Sequence, residues 1–146
     1  MTASITIIGL GPGRWGDLTL QARTVLAQAA ENNLVVHFRT IIHPTLTPLK
    51  KEIPHLRIAS FDHLYDESNN WETLYQQIAE ELCDLATERS VVYAVPGHPL
   101  IGETSVQRVL SLARQRGIKA HIIAGLSFLE PVCTALQLDP LEVGTQ

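Results

Sequence analysis

A single histidine lies between two prolines in the segment VPGHPLIG, residues 95–102. The apolar run Val91–Val95 leads into this segment and is typical of a buried strand. Pro96 and Pro99 fix their own φ angles and restrict the residues before them, so the turn is stiff before any ligand arrives. A stiff turn lowers the ordering cost of binding. His98 is therefore a candidate for contact with a small-molecule ligand.

Two further apolar runs end in glycine-containing turns, GLGPG at residues 9–13 and AGLSF at residues 124–128. Glycine at such ends permits positive φ and lets a ligand approach the backbone. In open parallel sheets, ligands bind beyond the carboxyl ends of the strands. Together with the histidine turn, these loops predict a small-molecule cleft along one edge of a sheet.

The first of these loops resembles a dinucleotide fingerprint but departs from it in detail. A G-x-G-x-x-G pattern that starts at Gly9 requires glycine where the chain has Arg14, and Pro12 removes an N–H from the cradle. Arg39, at the end of the second apolar run, could suit a 2′-phosphate, so an NADP enzyme stays open as a minor alternative. A Walker P-loop is excluded, because Asp17 occupies the position of its lysine.

The spacing of the histidine, acidic and cysteine residues does not favour a metal site or a disulfide. The 6 histidines form no H-x-x-x-H pair, so a zinc site is not favoured. Glu80, Glu81 and Asp84 resemble the acidic helix of magnesium-dependent nucleotide pyrophosphohydrolases, but no second acidic pair accompanies them. We interpret these acids as a solvated helix face. Cys83 and Cys133 lie in apolar helical patterns, which predicts two buried free thiols and a reducing cytoplasm.

Composition limits the class of protein further. The chain has 146 residues, 45% of them apolar and 18% charged, which fits one domain with a substantial core. A net charge of −4 without a basic face argues against nucleic acid as a partner. The N-terminus lacks the basic region of a signal peptide. No apolar stretch approaches the roughly 18 residues that a membrane span requires, so we expect no membrane association.

The elements that must position these loops alternate along the chain. Strands are predicted at Ser4–Leu10, Asn33–Phe38, Leu56–Ser60, Val91–Val95 and Lys119–Ile123. Helices are predicted at Thr19–Ala30, Asn70–Thr87, Thr104–Gln115 and Ser127–Leu136, with turns and at most a short helix in residues 40–56. In the first helix, Leu20, Val25, Leu26 and Ala29 recur at helical spacing. Ser105 and Ser127 stand where helix caps belong, and Gly117 is expected to close its helix. This alternation predicts an α/β fold, a mostly parallel sheet with helices on both faces.

Five segments in this order carry a family resemblance: ITIIGLGPGRWGDLTLQA, FRTIIHP, FDHLYDESNNWETLYQQIAEEL, VVYAVPGHPLIGE and AGLSFLEPV. Together the chain resembles the tetrapyrrole (corrin/porphyrin) methylases, which use S-adenosyl-L-methionine (SAM). Within that family it is similar to the methylase-like half of proteins fused to a MazG-type nucleotide pyrophosphohydrolase.

The resemblance implies that residues 1–146 form the SAM-binding N-terminal domain, a five-stranded sheet, of a two-domain methylase. The second methylase domain, and a MazG-type domain, would then lie outside this chain. The parent protein is expected to be a cytoplasmic homodimer. The implied cofactor-binding residues are Pro12, Gly97, His98, Ile101, Ser127 and Phe128. No catalytic residue or metal ligand is implied. His98 stands where many relatives carry the aspartate of a GDP motif.

Two hypotheses about function follow from this resemblance. In the first, the chain is the cofactor-binding half of a SAM-dependent methyltransferase acting on a small-molecule substrate, and is inactive by itself. In the second, it is a non-catalytic module that senses SAM or a nucleotide for a fused pyrophosphohydrolase. Histidine supplies no fixed negative charge for the cationic cofactor, which favours the second, whereas the intact glycine loops favour retained binding.

Overall fold

One parallel sheet forms the centre of the molecule. The computed structural model describes residues 3–142, and within this range it has five strands whose pairings are all parallel. They are β1 (Ser4–Gly9), β2 (Val35–Phe38), β3 (Arg57–Ser60), β4 (Val91–Val95) and β5 (Lys119–Ile123), arranged in the order β3-β2-β4-β1-β5. The predicted α/β class and all five predicted strands are confirmed, with ends that differ by at most two residues.

Six α-helices accompany the strands within the described residues. They are α1 (Leu20–Glu31), α2 (Leu46–Glu52), α3 (Asp62–Glu67), α4 (Trp71–Glu88), α5 (Thr104–Gln115) and α6 (Leu129–Leu136). The four predicted helices are present, and α2 is the short helix allowed in residues 40–56. Helix α6 begins two residues later than predicted. Helix α3 is missing from the sequence prediction, because six residues carry too little periodicity to detect.

Two apolar cores lie on opposite faces of the sheet. Helices α1 and α2 cover one face, where Leu26 and Leu49 pack against Phe38. Helices α4 and α5 cover the other, where Ile78 and Val106 belong to the buried cluster around Tyr93. Successive residues of a strand face opposite sides, so each strand supplies both cores. The prediction of helices on both faces is confirmed.

The apolar stripe predicted for α1 is wrong at Leu20. That side chain is 81% exposed, whereas Leu26 and Ala29 are buried. Leu20 is the first residue of the helix, immediately after the N-cap Thr19, whose side chain accepts a hydrogen bond from the Ala22 N–H. Ala22, two residues further on, is the residue of the first turn that is buried, so helical spacing alone does not decide which side chain of that turn reaches the core.

The strand order creates a crevice between β1 and β4. The chain leaves β1 through α1 on one face and leaves β4 through α5 on the opposite face, although the two strands are neighbours. In doubly wound sheets, such a reversal opens a crevice at the carboxyl ends of the strands, where ligands bind. The loops GLGPG and VPGHPLIG follow these two strands.

Helix α6 buries no residue, and neither does the shorter α3. Phe128, Leu129, Val132 and Leu136 are all between 46% and 61% exposed. The expectation of two buried thiols holds for Cys83 but is wrong for Cys133, which is only half-buried on α6. Among the described residues, no helix has the length and apolar character needed to cross a membrane.

Candidate functional site

Three glycines bring the three predicted loops into backbone contact. A Cβ atom added to Gly9 would lie 2.4 Å from the carbonyl oxygen of Gly97 and 3.0 Å from Cα of Gly125. A Cβ atom added to Gly125 would meet the same Gly97 oxygen at 2.4 Å. No side chain fits at either position, so the loops after β1, β4 and β5 meet only because these residues are glycines. We call these three residues the glycine junction.

The first two loops are also joined by hydrogen bonds. The N–H of Gly97 donates to the carbonyl of Gly11 at 2.8 Å, and the N–H of Gly11 donates back to the carbonyl of Gly97 at 3.2 Å. Both glycines have positive φ, +76° at Gly11 and +66° at Gly97, which other residues rarely adopt. This reciprocal pair holds Pro12, half-buried, at the start of the crevice. Pro12 and Gly97, predicted as cofactor neighbours, therefore lie in adjoining loops.

His98 is fixed by its own turn. Its Nδ1 accepts a hydrogen bond from the N–H of Leu100 at 3.0 Å, so a neutral ring carries its proton on Nε2. The ring is half-buried, and Ile101, three residues further on, is 36% exposed. Through Nε2–H the histidine offers a donor, whereas the aspartate expected at this position would offer only acceptors.

Ser127 is occupied by the start of α6. Its hydroxyl donates to the Glu130 carboxylate and accepts from the N–H of Leu129, while its own N–H donates to Glu130 at 2.8 Å. These contacts follow the pattern of a capping box around Ser127, whereas the N-cap residue of α6 is Phe128, one residue later than predicted, and its own side chain makes no cap. The hydrogen bond from the Ser127 hydroxyl lowers the pKa of Glu130. Ser127 is buried and Phe128 is 59% exposed, so the two predicted contacts differ sharply in accessibility.

His43 ties the segment after β2 to the first glycine loop. Its Nε2 lies 3.1 Å from the carbonyl oxygen of Gly11, and its Nδ1 accepts from the N–H of Thr45 at 3.3 Å. Burial lowers the pKa of His43, the hydrogen bond to Gly11 opposes that shift, and the charge of Arg39 adds to it. A neutral imidazole with Nε2–H as donor satisfies both contacts. The contact with Gly11 places His43 beside the first glycine loop.

A buried polar network at the ends of β2, β3 and β4 is the functional feature that sequence reasoning missed. Nε of Arg39 lies 3.1 Å from Oε1 of Glu103, and its Nη1–H donates to the Tyr65 hydroxyl at 2.9 Å. The Arg39 N–H also donates to the carbonyl of Ala94 on β4. The side chains of Arg39 and Glu103 are 22% and 8% exposed. The signals for this network in the sequence are a charged residue directly after an apolar strand and an acid at the end of VPGHPLIGE.

The network continues into the core. The Ser105 hydroxyl donates to Glu103 at 2.7 Å and lies 2.8 Å from the Tyr93 hydroxyl, which is fully buried. Burial raises the pKa of Glu103, and the Arg39 charge and the Ser105 hydrogen bond oppose that shift. The interpretation of Ser105 as a helix cap is wrong, because the α5 backbone receives no side-chain cap and Ser105 serves Glu103 instead. By sequence, Arg39 is a candidate contact for the 2′-phosphate of NADP. In the structure its positive charge is paired with the carboxylate of Glu103.

An open cleft of about 200 Å³ adjoins the glycine loops on the α6 side. Arg14 and Asp17 line it from the first loop, and Glu130, Pro131 and Thr134 line it from α6. No cluster of three or more His, Cys, Asp or Glu side chains suited to a metal ion occurs in residues 3–142. Glu80 and Glu81 are exposed on α4, and Asp84 pairs with Arg116, as a solvated helix face requires.

Comparison with known proteins agrees with this geometry. YabN of Bacillus subtilis (strain 168) is 34% identical over 142 residues, which are 97% of this chain and 28% of that protein. A crystal structure of diphthine synthase superimposes with a TM-score of 0.71 at 20% identity, covering 95% of this chain and 51% of that one. A uroporphyrin-III C-methyltransferase of Thermus thermophilus in complex with S-adenosylhomocysteine superimposes with a TM-score of 0.55 at 19% identity, covering 85% and 48%.

The chain thus spans between about a quarter and a half of the length of these relatives. At such identities the two solved structures establish the fold alone. The family model for tetrapyrrole (corrin/porphyrin) methylases matches residues 4–146, nearly the whole chain. With its parallel sheet, its β1/β4 crevice and its glycine junction, the chain belongs to the tetrapyrrole (corrin/porphyrin) methylase family.

Proposed function

We propose that this chain is the SAM-binding half of a methyltransferase that acts on a small molecule. The glycine junction carries the proposal. It packs the backbones of three loops against one another at the carboxyl ends of β1, β4 and β5, where a doubly wound sheet binds its ligand. The relative from Thermus thermophilus whose structure holds S-adenosylhomocysteine supports the choice of SAM as the ligand.

SAM would supply an activated methyl group, and transfer needs mainly the positioning of donor and acceptor. The chain's contribution is a rigid wall: the hydrogen bonds between Gly11 and Gly97 fix two loops, and Pro12 adds a residue without an N–H. His98 would contribute a donor through Nε2–H. Ile101 and Phe128 are exposed enough to contact a ligand, whereas Ser127 would act through the cap of α6.

The complete protein is proposed to be longer than this chain. Its relatives extend well beyond the matched segment, and the exposed apolar side of α6 supports a further domain at that position. We propose that a second methylase domain completes the cofactor and substrate pockets. Assembly as a homodimer and fusion to a MazG-type domain stay predictions from the resemblance.

Calorimetric titration with SAM and S-adenosylhomocysteine tests the proposal. The titration is made with this chain and with the full-length polypeptide that contains it. We expect measurable heat with the full-length protein and none, or far less, with residues 1–146, because the glycine loops form one wall of the pocket. Absence of heat with folded full-length protein would contradict SAM binding. His98→Asp is expected to raise SAM affinity by restoring an acceptor, and unchanged affinity would remove His98 from the site.

One observation favours a second candidate, a non-catalytic module that senses SAM or a nucleotide. His98 presents an N–H donor where an aspartate is expected, and it supplies no fixed negative charge for the cofactor. Methyl transfer and sensing separate in a single experiment. If full-length protein binds SAM but forms no S-adenosylhomocysteine with any extract of candidate acceptors, sensing becomes the better account.

A further inference from the structure

A second pocket lies at the same edge of the sheet, beyond the ends of β2 and β3. It has a volume of about 270 Å³ and is lined by Arg39, Thr40, Ile42, Asp62, Tyr65 and Asp66. None of these residues belongs to the glycine junction or to the residues implied as SAM contacts. A molecule bound in this pocket would therefore be held by a separate set of side chains.

Two residues that line this pocket carry hydrogen-bond donors that their mutual contact leaves unused. The Tyr65 hydroxyl accepts from Nη1–H of Arg39, and because arginine accepts nothing, the hydroxyl proton is not used by that contact. The Nη2 donors of Arg39 are likewise not used by its contacts with Tyr65 through Nη1 and with Glu103 through Nε. Both groups belong to residues that line the pocket.

These donors are held in place before any ligand arrives. Glu103 pairs with Nε of Arg39, and the backbone of Arg39 is bound to Ala94 on β4. The ring of Tyr65 packs edge-on against Trp71, with ring centroids 5.8 Å apart. Donors already fixed by neighbouring groups bind an acceptor at a smaller entropic cost.

The charges around the pocket select the kind of acceptor. The positive charge of Arg39 is balanced by buried Glu103, while Asp62 and Asp66 also line the pocket. Burial raises the pKa of Asp62, but hydrogen bonds from the Ile41 N–H and from the hydroxyls of Thr40 and Ser60 outweigh that effect, so the pKa of Asp62 is lowered. The Asp62 carboxylate therefore stays ionised. The carboxylates of Asp62 and Asp66 disfavour a carboxylate or phosphate ligand through like-charge repulsion. A neutral oxygen acceptor avoids this repulsion.

We propose that this pocket binds a neutral carbonyl group, of the amide or ring-carbonyl class, through Tyr65 and Arg39. The 84% exposed side chain of Ile42 and the ring of Tyr65, which packs edge-on against Trp71, supply apolar surface to it. The identification of the bound molecule as the methyl acceptor rests on the proposed function. Carbonyl binding itself does not rest on that function.

Three small probes of matched shape test the proposal: benzamide, benzoate and benzamidinium. Each is titrated at millimolar concentration into the ¹⁵N-labelled chain, and amide shifts are followed by NMR. We expect benzamide to shift amides in residues 39–42 and 62–66 and to bind more tightly than either ion. Tyr65→Phe keeps the ring but removes the donor, and should weaken benzamide about fivefold, the effect of one neutral hydrogen bond. Tyr75→Phe, next to the same Trp71 but outside the pocket, should leave benzamide affinity unchanged.

Each other outcome overturns part of the inference. Tighter binding of benzoate would contradict the charge argument, and tighter binding of benzamidinium would show that the carboxylates recognise the ligand. Equal benzamide affinity in Tyr65→Phe would contradict the donor argument, and shifts elsewhere only would remove the site. A failure of the proposed function appears separately, as absence of SAM binding by the full-length protein, and leaves the benzamide result standing.

Discussion

Gly9 tolerates no side chain, and its replacement gives the clearest prediction at the scale of single residues. In Gly9→Ala the new Cβ would meet the backbone oxygen of Gly97 at 2.4 Å, so the loops after β1 and β4 must separate. We expect the free energy of unfolding to fall by about 1–3 kcal/mol, the usual cost of overpacking. Urea unfolding followed by circular dichroism measures this. Gly16→Ala is the matched control, because a Cβ there meets nothing within 4 Å. Equal stability of both variants would contradict the close contact.

The pH dependence of stability is a second prediction at this scale, and it centres on His43. Burial lowers the pKa of His43 from its ordinary value of 6.5, and burial together with Arg89 lowers that of His37. Below pH 6.5 the unfolded chain therefore binds more protons than the folded chain. The free energy of unfolding should be fully maintained above about pH 6.5 and should decrease as the pH falls below it.

Urea unfolding at several pH values between about 5 and 7.5 tests this sign. His43→Gln retains an amide donor for the Gly11 carbonyl and removes one titrating group, so the slope should become shallower. The double variant with His37→Gln should flatten it further. An unchanged slope in both variants would assign the pH dependence to other groups.

At the scale of elements, the stability of α6 should depend on the hydrogen bonds of one residue, Ser127. Ser127→Ala removes the acceptor for the Leu129 N–H and the donor to Glu130. The expected loss is about 1 kcal/mol of helix stability. Because α6 buries no residue, the loss should appear as faster hydrogen exchange in α6 alone. Thr134→Ala, on the exposed part of the same helix, is the control and should change exchange far less.

Element boundaries could be predicted largely from local pattern. Helix α5 and strands β4 and β5 match their predicted ranges residue for residue, since apolar periodicity and flanking Gly or Pro fix them locally. Gly117, with φ +68°, follows the end of α5 as expected of a helix terminator. Helix α3 was not predicted, because its six residues are too few to show a helical period.

The candidate site was predictable only in part. The glycine loops can be recognised in the sequence as local motifs. The network of Arg39, Tyr65 and Glu103, in contrast, joins three segments that are far apart in the chain. No local pattern relates them. Only the order of strands across the sheet brings the ends of β2, β3 and β4 together. Contacts among Arg39, Tyr65 and Glu103 therefore depend on the order of the strands in the sheet. The sequence shows where each strand ends but not which strands are neighbours.

At the scale of the whole molecule, α6 adds little buried surface to the folded chain. Val132 and Leu136 are 50% and 61% exposed on it. The double variant Val132→Lys with Leu136→Lys should therefore change the free energy of unfolding by less than about 0.5 kcal/mol. Removing exposed apolar surface should also raise the monomer fraction at high protein concentration, which sedimentation velocity measures.

A matched pair of lysines on polar, exposed positions, Gln77→Lys with Gln107→Lys, controls for added charge in this comparison. A large loss of stability in the α6 variant alone would show that the helix supports the core. An unchanged monomer fraction in that variant would show that its apolar side does not drive association.

The reciprocal hydrogen bonds between Gly11 and Gly97 bear on how the molecule opens to solvent. Loop amides ordinarily exchange their protons with water long before those of a sheet. Here the N–H groups of Leu10, Gly11 and Gly97 are each bonded to the backbone of a neighbouring loop or strand. They should exchange at the rate of the central strands, through complete unfolding. If the amide protons of these loops exchange as slowly as those of the core, the crevice keeps its shape when no ligand is bound.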